Sequence, residues 1–187
     1  MNQVDEIYKN KRWQKKIHKN DESPVAPSLY GEITKEGVQC IIDEFKLFFE
    51  DKQCVFYDLG SGAGKMVLHV AVSCEIKKSI GIEYYEDRVL SAIAEVPKYN
   101  YMSAFPPEFH QADLFNFNYE DATVMYVDCT NRELFKMVKD NFRKKIPNGC
   151  LFLYRGKKMW GDAGVVRGEF CSPTTYSKSR SLRWIMF

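Results

Sequence analysis

The segment CVFYDLGSGAG, residues 54–64, begins with a short apolar run and ends in glycines at every second position. A short, continuously apolar run is typical of a strand that is buried on both faces of a parallel sheet. The run ends at Asp58, and residues 66–72, after the glycines, are apolar and suited to a helix. Glycines accept positive φ and let a ligand approach the backbone closely. The segment therefore predicts a strand, a glycine turn and a helix, with a ligand over the end of the strand.

The same alternation continues towards the C-terminus. Apolar strand-like runs and helical runs follow each other until residue 154, which favours an α/β sheet with helices on both faces. The tail is different, because two strand-like runs without an intervening helix predict an antiparallel hairpin at a sheet edge. The predicted strands are residues 54–57, 79–83, 109–112, 122–127, 150–154, 165–170 and 181–187, and the predicted helices between them are residues 66–72, 88–96 and 133–142.

The N-terminal part is read as two pieces. Residues 9–19 are basic and loosely helical, and the prolines that follow predict an extended linker. From Thr34, which is suited to cap a helix, an apolar face with helical spacing runs to about residue 50. We therefore predict a basic helical segment with a linker at residues 1–28 and a second domain at residues 29–187.

Composition restricts the class of protein. The chain has 187 residues, of which 45% are hydrophobic and 28% charged, as expected for one globular core. It has no apolar run of about 18 residues and no apolar N-terminal signal, so we expect no membrane span and no secretion. The six cysteines form no metal-type cluster, so we predict no metal ligand and an intracellular location, in the nucleus or the cytoplasm.

Charge is distributed unevenly along the chain. Residues 1–20 carry a net charge of +4 and residues 155–187 carry +5, whereas residues 21–154 carry −7. Two basic ends around an acidic body favour contact with an anionic partner such as a nucleic acid. Solvated ends that only confer solubility would produce the same pattern.

Two common glycine loops fit the segment poorly. A phosphate-binding P-loop requires four residues between its glycines and then Lys-Ser or Lys-Thr, whereas Gly60 and Gly64 are separated by three residues and Lys65 precedes Met66. A dinucleotide fingerprint would place a third glycine at position 65, so a nicotinamide cofactor is a distant second choice.

The spacing of Asp58 and the glycines resembles motif I of the class I methyltransferases that use S-adenosylmethionine. The resemblance implies that the loop passes under the amino-acid end of this cofactor, and that Glu83, at the tip of the next predicted strand, binds the ribose hydroxyls. It also implies that Asp113 contacts the adenine, with Leu114 or Phe115 against the base. The loop residues implied in cofactor binding are Asp58, Gly60, Ser61, Gly62 and Gly64.

A narrower resemblance covers roughly residues 29–155. Residues 30–32, Tyr-Gly-Glu, ahead of a helix, together with residues 56–71 and 80–83, are similar to the cofactor half of the non-SET histone-lysine methyltransferases, the disruptor-of-telomeric-silencing family. This family has a Rossmann-like, seven-stranded class I methyltransferase sheet. The resemblance adds Tyr30, Glu32, Thr34 and Tyr84 to the predicted cofactor contacts.

The chain departs from the family pattern after the fourth predicted strand. The family has an Asn-Asn-Phe-type sequence there, whereas this chain has VDCTN, residues 127–131, so Asp128 and Asn131 are the candidate catalytic residues. Lys65 also stands where the family tends to be neutral. The resemblance implies an S-adenosylmethionine-dependent methyltransferase acting on a protein lysine, in a histone or another protein. Methylation of a nucleic acid, and a catalytically silent cofactor- or partner-binding module, are the alternatives.

Overall fold

A seven-stranded sheet forms the centre of the molecule. The computed structural model describes residues 2–9, 32–129, 131–157, 159–160, 166–174 and 177–187. The strand order is β3-β2-β1-β4-β5-β7-β6, in which β1 to β5 are parallel and β7 is antiparallel to both of its neighbours. The strands are β1 (Val55–Leu59), β2 (Lys78–Glu83), β3 (Glu108–Gln111), β4 (Val124–Asp128), β5 (Leu151–Arg155), β6 (Val166–Thr174) and β7 (Ser177–Met186).

Helices precede the sheet and connect its parallel strands, except β3 and β4, which a loop joins. The strand-like runs and the C-terminal hairpin predicted from the sequence are all confirmed, with bounds shifted by a few residues. The helices are α1 (Gln3–Lys9), α2 (Lys35–Glu44), α3 (Lys46–Phe49), α4 (Lys65–Ser73), α5 (Glu86–Glu95) and α6 (Arg132–Asn141).

The helix predicted from Thr34 to about residue 50 is interrupted. Thr34 caps α2 as expected, because its side chain accepts a hydrogen bond from the Gly37 amide. At Phe45 the backbone leaves the helical region (φ −109°, ψ 36°), and α3 begins at the next residue. Phe45 packs edge-on against Trp184, so a tertiary contact accompanies the break.

Helix α1 lies within the predicted N-terminal helical segment but before residues 9–19, where the helix was expected. Val4 and Ile7 are buried against Leu68 and Val72 of α4, so this short helix packs onto the sheet domain. The basic helix predicted at residues 9–19 lies outside the described residues, apart from Lys9, which ends α1. The domain division at residue 28 stays a prediction.

Two apolar layers cover the sheet. On one face, Tyr57, Met125 and Phe152 belong to a cluster that includes Phe142 next to α6. On the other face, Phe56, Tyr126 and Leu153 belong to a cluster with α2 and α4. Among the described residues no helix combines the length and apolar character that a membrane span requires.

Gly64 shows why a glycine is required directly before α4. Its φ is +78°, and a Cβ there would come within 2.5 Å of the Phe109 ring and 2.9 Å of Ala92. Gly149 has a similar φ of +82° but open space around the equivalent position. The first glycine is therefore constrained by conformation and packing, the second by conformation alone.

We expect Gly149→Ala to lower the free energy of unfolding by about 1 kcal/mol, the cost of a left-handed backbone with a Cβ. Gly64→Ala should lower it by about 1–3 kcal/mol more, because of the added overpacking. Urea unfolding of both variants and the parent measures the difference. Equal losses would show that the Phe109 ring moves aside without penalty.

Candidate functional site

Polar side chains meet at the carboxyl ends of the parallel strands. In the sheet register, Asp58 lies between Gly81 of β2 and Tyr126 of β4, and Asp128 lies opposite Arg155 of β5. Open α/β sheets bind ligands at this edge. The register thus brings residues that are far apart in sequence to one place.

The glycine turn is attached to β2 by its backbone. The amides of Gly60 and Ser61 both donate to the Ile82 carbonyl, at 2.8 and 3.0 Å, and the Gly62 amide donates to Glu83 Oε2 at 2.8 Å. Gly60 has φ +84°, and no atom lies within 4 Å of the place that a Cβ would take there. Gly60 therefore leaves the surface of the turn open to a ligand, whereas Gly64 serves helix packing.

A pocket lies beside this turn. Its enclosed part has a volume of about 50 Å³. A drug-sized ligand needs about 300 Å³ or more, so the enclosed part accommodates one end of such a ligand. The hydroxyl of Ser61 is buried and has no hydrogen-bond partner among the described residues. The pocket is lined by Glu32, Ile33, Asp58, Gly60, Ser61, Gly62, Lys65, Met66, Tyr126 and Asp128.

The surroundings of Asp58 favour its protonated form. Burial raises the pKa of this carboxyl to about 8, and the nearby carboxylates of Glu83 and Asp128 act in the same direction. In the described part of the chain, no lysine, arginine or histidine lies within ion-pair distance of Asp58. A cationic group bound in the pocket would supply the positive charge that Asp58 lacks among these residues.

The other carboxylates of the site each lie near a cation. Glu32 is paired with Lys65 at 2.6 Å, and both side chains are about nine-tenths buried. Glu83 lies 3.6 Å from Arg88, and Asp128 lies 3.7 Å from Arg155. The site therefore contains four carboxyl groups, of which Asp58 is the one without a lysine, arginine or histidine within ion-pair distance among the described residues.

Glu83 has a structural role in addition to the predicted one. Its two oxygens accept from the amides of Gly62 and Tyr85, at 2.8 and 3.0 Å, which fixes the carboxylate at the end of β2. A carboxylate can accept more than two hydrogen bonds, so this arrangement leaves capacity for sugar hydroxyls. Ribose binding by Glu83 stays a prediction.

Glu32 and Thr34 lie near the turn on the α2 side. Glu32 lines the pocket and pairs there with Lys65. The Thr34 hydroxyl instead accepts a hydrogen bond from the Gly37 amide at the start of α2. Tyr30 lies outside the described residues.

Three further predicted contacts lie beyond the pocket. Tyr84 is exposed and its ring meets Tyr85 edge-on. Asp113 accepts from the Phe115 amide and the Asn116 side chain, so it stabilises the turn after β3. Leu114 is partly buried against the apolar cluster beside it. These three residues do not line the enclosed pocket, and their contact with a ligand stays a prediction.

The two candidate catalytic residues differ in their surroundings. Asp128 lines the pocket. The side-chain oxygen of Asn131 instead accepts from the amides of Glu133 and Leu134 and caps α6. The structure thus gives Asn131 a helix-capping role, and a catalytic role for it stays a prediction.

Sequence reasoning missed two residues of this site. Tyr126 was read only as part of a strand, although it lies two residues before Asp128 and so shares its face of the sheet. Arg155 directly follows the strand predicted at residues 150–154 and is the last residue of the observed β5, where a charged residue is unexpected. Its register opposite Asp128 is visible only in the assembled sheet.

The comparisons with known proteins agree with this geometry. The family described as histone methylation protein DOT1 matches residues 14–126, more than half of the chain. The chain belongs to this family. The predicted family and the class I methyltransferase fold, with a seven-stranded Rossmann-like sheet, are confirmed.

Individual relatives cover parts of this DOT1-family chain. It is 42% identical over 64 residues to a histone-lysine N-methyltransferase of Drosophila melanogaster that is specific for H3 lysine-79. That match covers 34% of the chain but only 3% of the fly protein. A protein-lysine N-methyltransferase of Saccharolobus islandicus is 24% identical over 120 residues, which cover 62% of this chain and 71% of the archaeal protein.

A solved structure supports the fold. An RNA methyltransferase from Salinibacter ruber, in complex with S-adenosyl-L-homocysteine, superposes with a TM-score of 0.54 at 23% sequence identity. The superposition covers 79% of this chain and 90% of that protein. At this identity the likeness concerns the fold of the DOT1-family chain, not its substrate.

We expect Asp58→Asn to flatten the pH dependence of stability. Because the pKa of Asp58 is raised to about 8 from 3.8, the folded protein holds a proton there that the unfolded chain has lost between these pH values. Stability therefore falls as pH rises through this window, by at most about 1.4 kcal/mol per pH unit from this one group. Asparagine cannot ionise and removes this contribution.

Urea unfolding of the parent and Asp58→Asn at about pH 5, 6.5 and 8 measures this effect, since these values span the window in which the two states differ in protonation. Glu108→Gln is the matched control, because Glu108 is a strand carboxylate paired with Lys78 outside the pocket. An unchanged slope in Asp58→Asn would show that Asp58 is ionised in the folded protein at neutral pH.

Proposed function

We propose that this DOT1-family chain transfers the methyl group of S-adenosylmethionine to the side-chain amine of a protein lysine. The observation that carries the proposal is a buried Asp58 under an open glycine turn, in a pocket that Glu32 and Asp128 also line. A ligand with a positive sulfonium and an ammonium group complements this pocket. Membership of the histone methylation family supports the lysine acceptor.

The residues present fit this cofactor. The unpartnered Ser61 hydroxyl and Asp58 offer polar partners at the turn. Gly60 leaves room for close approach. Lys65 and Glu32 offer opposite charges for the carboxylate and ammonium of the amino-acid end. In this proposal Glu83 binds the ribose, and Tyr84, Asp113 and Leu114 are the further cofactor contacts.

The cofactor supplies a methyl carbon that its positive sulfur has already activated. The protein then has to bind the acceptor amine in line with that carbon and to remove its proton, because only the neutral amine carries a lone pair. Asp128 lines the pocket and is 22% exposed, so its carboxylate can accept a proton from an incoming ammonium group. A carboxylate at this position also favours a cationic acceptor over a neutral one.

A nucleic-acid acceptor is the second candidate. The basic ends of the chain favour it, and the fold is shared with a methyltransferase that acts on RNA. The acidic pocket disfavours it, because a phosphate backbone is repelled by carboxylates. A catalytically silent module is a further alternative, which labelling of an acceptor would exclude.

The compartment and partners follow from the same proposal. The described cysteines Cys40, Cys54, Cys74, Cys129 and Cys150 are free thiols, in keeping with a reducing, intracellular environment such as the nucleus or cytoplasm. The proposed partner is a protein that presents a lysine, in a histone or elsewhere.

We expect the protein to bind S-adenosylmethionine, and Gly62→Arg and Glu83→Ala to weaken binding at least about tenfold, as the loss of a charge-assisted contact implies. The first variant fills the surface of the turn, and the second removes the carboxylate that holds the turn and the ribose. Glu83→Gln keeps one acceptor oxygen and should lose less. Isothermal titration calorimetry measures the affinities, with Glu108→Ala as a control. Unchanged affinity in both variants would contradict cofactor binding at this turn.

Incubation with methyl-labelled cofactor and host lysate tests the acceptor. We expect a labelled product that protease destroys and nuclease does not, because Asp128 favours a lysine side chain. Asp128→Asn should reduce the labelling. Nuclease-sensitive label would establish the nucleic-acid alternative, and cofactor binding without any label would establish the silent module.

A further inference from the structure

Arg155 is a charged residue without any solvent contact. It ends β5, and its exposed fraction is 0%. Removing a guanidinium from water is expensive unless charged and hydrogen-bonding partners surround it. The identity of these partners therefore indicates what the residue does.

Two of its neighbours line the pocket. The Arg155 Nε atom donates to the Tyr126 hydroxyl oxygen at 3.1 Å and lies 3.7 Å from Asp128 Oδ2. Both neighbours come from β4, and Asp128 is the register partner of Arg155 in the sheet. The Arg155 guanidinium thus lies behind the pocket wall, near Tyr126 and Asp128, which line the pocket.

The contact with Arg155 sets the direction of the Tyr126 hydroxyl. Burial and the Asp128 carboxylate raise the pKa of Tyr126 well above its usual value and outweigh the opposite effect of Arg155, so it is a neutral phenol. Because its oxygen accepts from Arg155, its own proton is directed away from Arg155. Tyr126 lines the pocket, so that proton is available to a group bound there.

Arg155 acts on Asp128 through charge. The Asp128 side chain keeps 22% of its surface exposed while one oxygen faces the buried guanidinium. The opposite charge on the inner side favours a carboxylate whose outer side is presented to the pocket. Without Arg155, Asp128 would lose a positive charge 3.7 Å from its carboxylate, beside the Asp58 and Glu83 carboxyl groups.

We propose that Arg155 is a positioning residue for the acceptor amine. It holds the Asp128 carboxylate and the Tyr126 hydroxyl in the orientation that receives the amine, and it does not touch the substrate itself. This inference rests on the proposed function, since it assigns Asp128 and Tyr126 to the acceptor side of the same site.

Substitutions at position 155 separate the two roles. Arg155→Gln places an amide nitrogen near the position of Nε and keeps a donor for Tyr126 but removes the charge. Arg155→Lys keeps a positive charge that can reach Asp128. Tyr126→Phe removes a single oxygen and preserves the shape of the core. Lys78→Gln, which removes a cation from β2, outside the pocket, is the control.

The assay measures methyl transfer from labelled S-adenosylmethionine to the protein of a host lysate, titrated by lysate concentration, together with cofactor affinity by calorimetry. We expect kcat/KM for the acceptor to fall about tenfold or more in Arg155→Gln and in Tyr126→Phe, as is typical when a reacting group is misplaced. Cofactor affinity should stay within about twofold, because neither side chain is assigned to the cofactor. Arg155→Lys should recover most of the loss in Arg155→Gln, and Lys78→Gln should match the parent.

A double-variant cycle adds a readout that a purely structural role would not move. If Arg155 acts through Asp128, Arg155→Gln combined with Asp128→Asn should lose little more than Asp128→Asn alone. Additive losses, or full acceptor kcat/KM in Arg155→Gln and Tyr126→Phe, would overturn the inference. If Arg155→Gln does not fold, Tyr126→Phe still tests it.

Failure of the proposed function and failure of the inference about Arg155 give different results. A parent protein that binds cofactor but labels no lysate protein contradicts the proposed function, and with it the inference. A parent that labels protein while the variants at positions 155 and 126 behave like it contradicts the inference alone.

Discussion

Four carboxyl groups are confined to one edge of the sheet, and the surrounding structure is arranged to compensate them. Asp58, Glu83 and Asp128 arrive there because parallel strands align their carboxyl ends, and Glu32 arrives from the segment before α2. Like charges in a poorly solvated space repel strongly. Arg88, Arg155 and Lys65 each approach one carboxylate, and Asp58 keeps a proton instead.

This arrangement connects the stability of the protein to its chemistry. A site that holds one carboxyl group protonated is ready for a cationic ligand, because the ligand can replace the proton. The partly exposed Asp128 carboxylate in the same pocket favours an ammonium-bearing acceptor over a phosphate-bearing one. Binding of the cofactor and selection of the acceptor would then follow from a single electrostatic property.

Helix α1 contacts residues of α2 and α4 near the site. The Tyr8 hydroxyl lies 3.2 Å from Nδ1 of the buried His69, and the Lys65 ammonium lies 6.0 Å from the centre of the Tyr8 ring. Asp5 pairs with Lys35 at the start of α2. An N-terminal helix thus contacts the two helices that flank the glycine turn, although no sequence pattern marked it as part of the domain.

Local patterns were enough to predict the order of strands and helices from residue 54 onward, the glycine turn and the family, because these depend on neighbouring residues in the chain. They also identified Asp58 and Asp128, which come directly at the ends of apolar runs. They did not identify α1, whose seven residues carry too little apolar periodicity, nor the break at Phe45, which coincides with a contact to Trp184. Tyr126 and Arg155 were missed because their roles depend on strand register, and register is set by packing between segments that are distant in sequence.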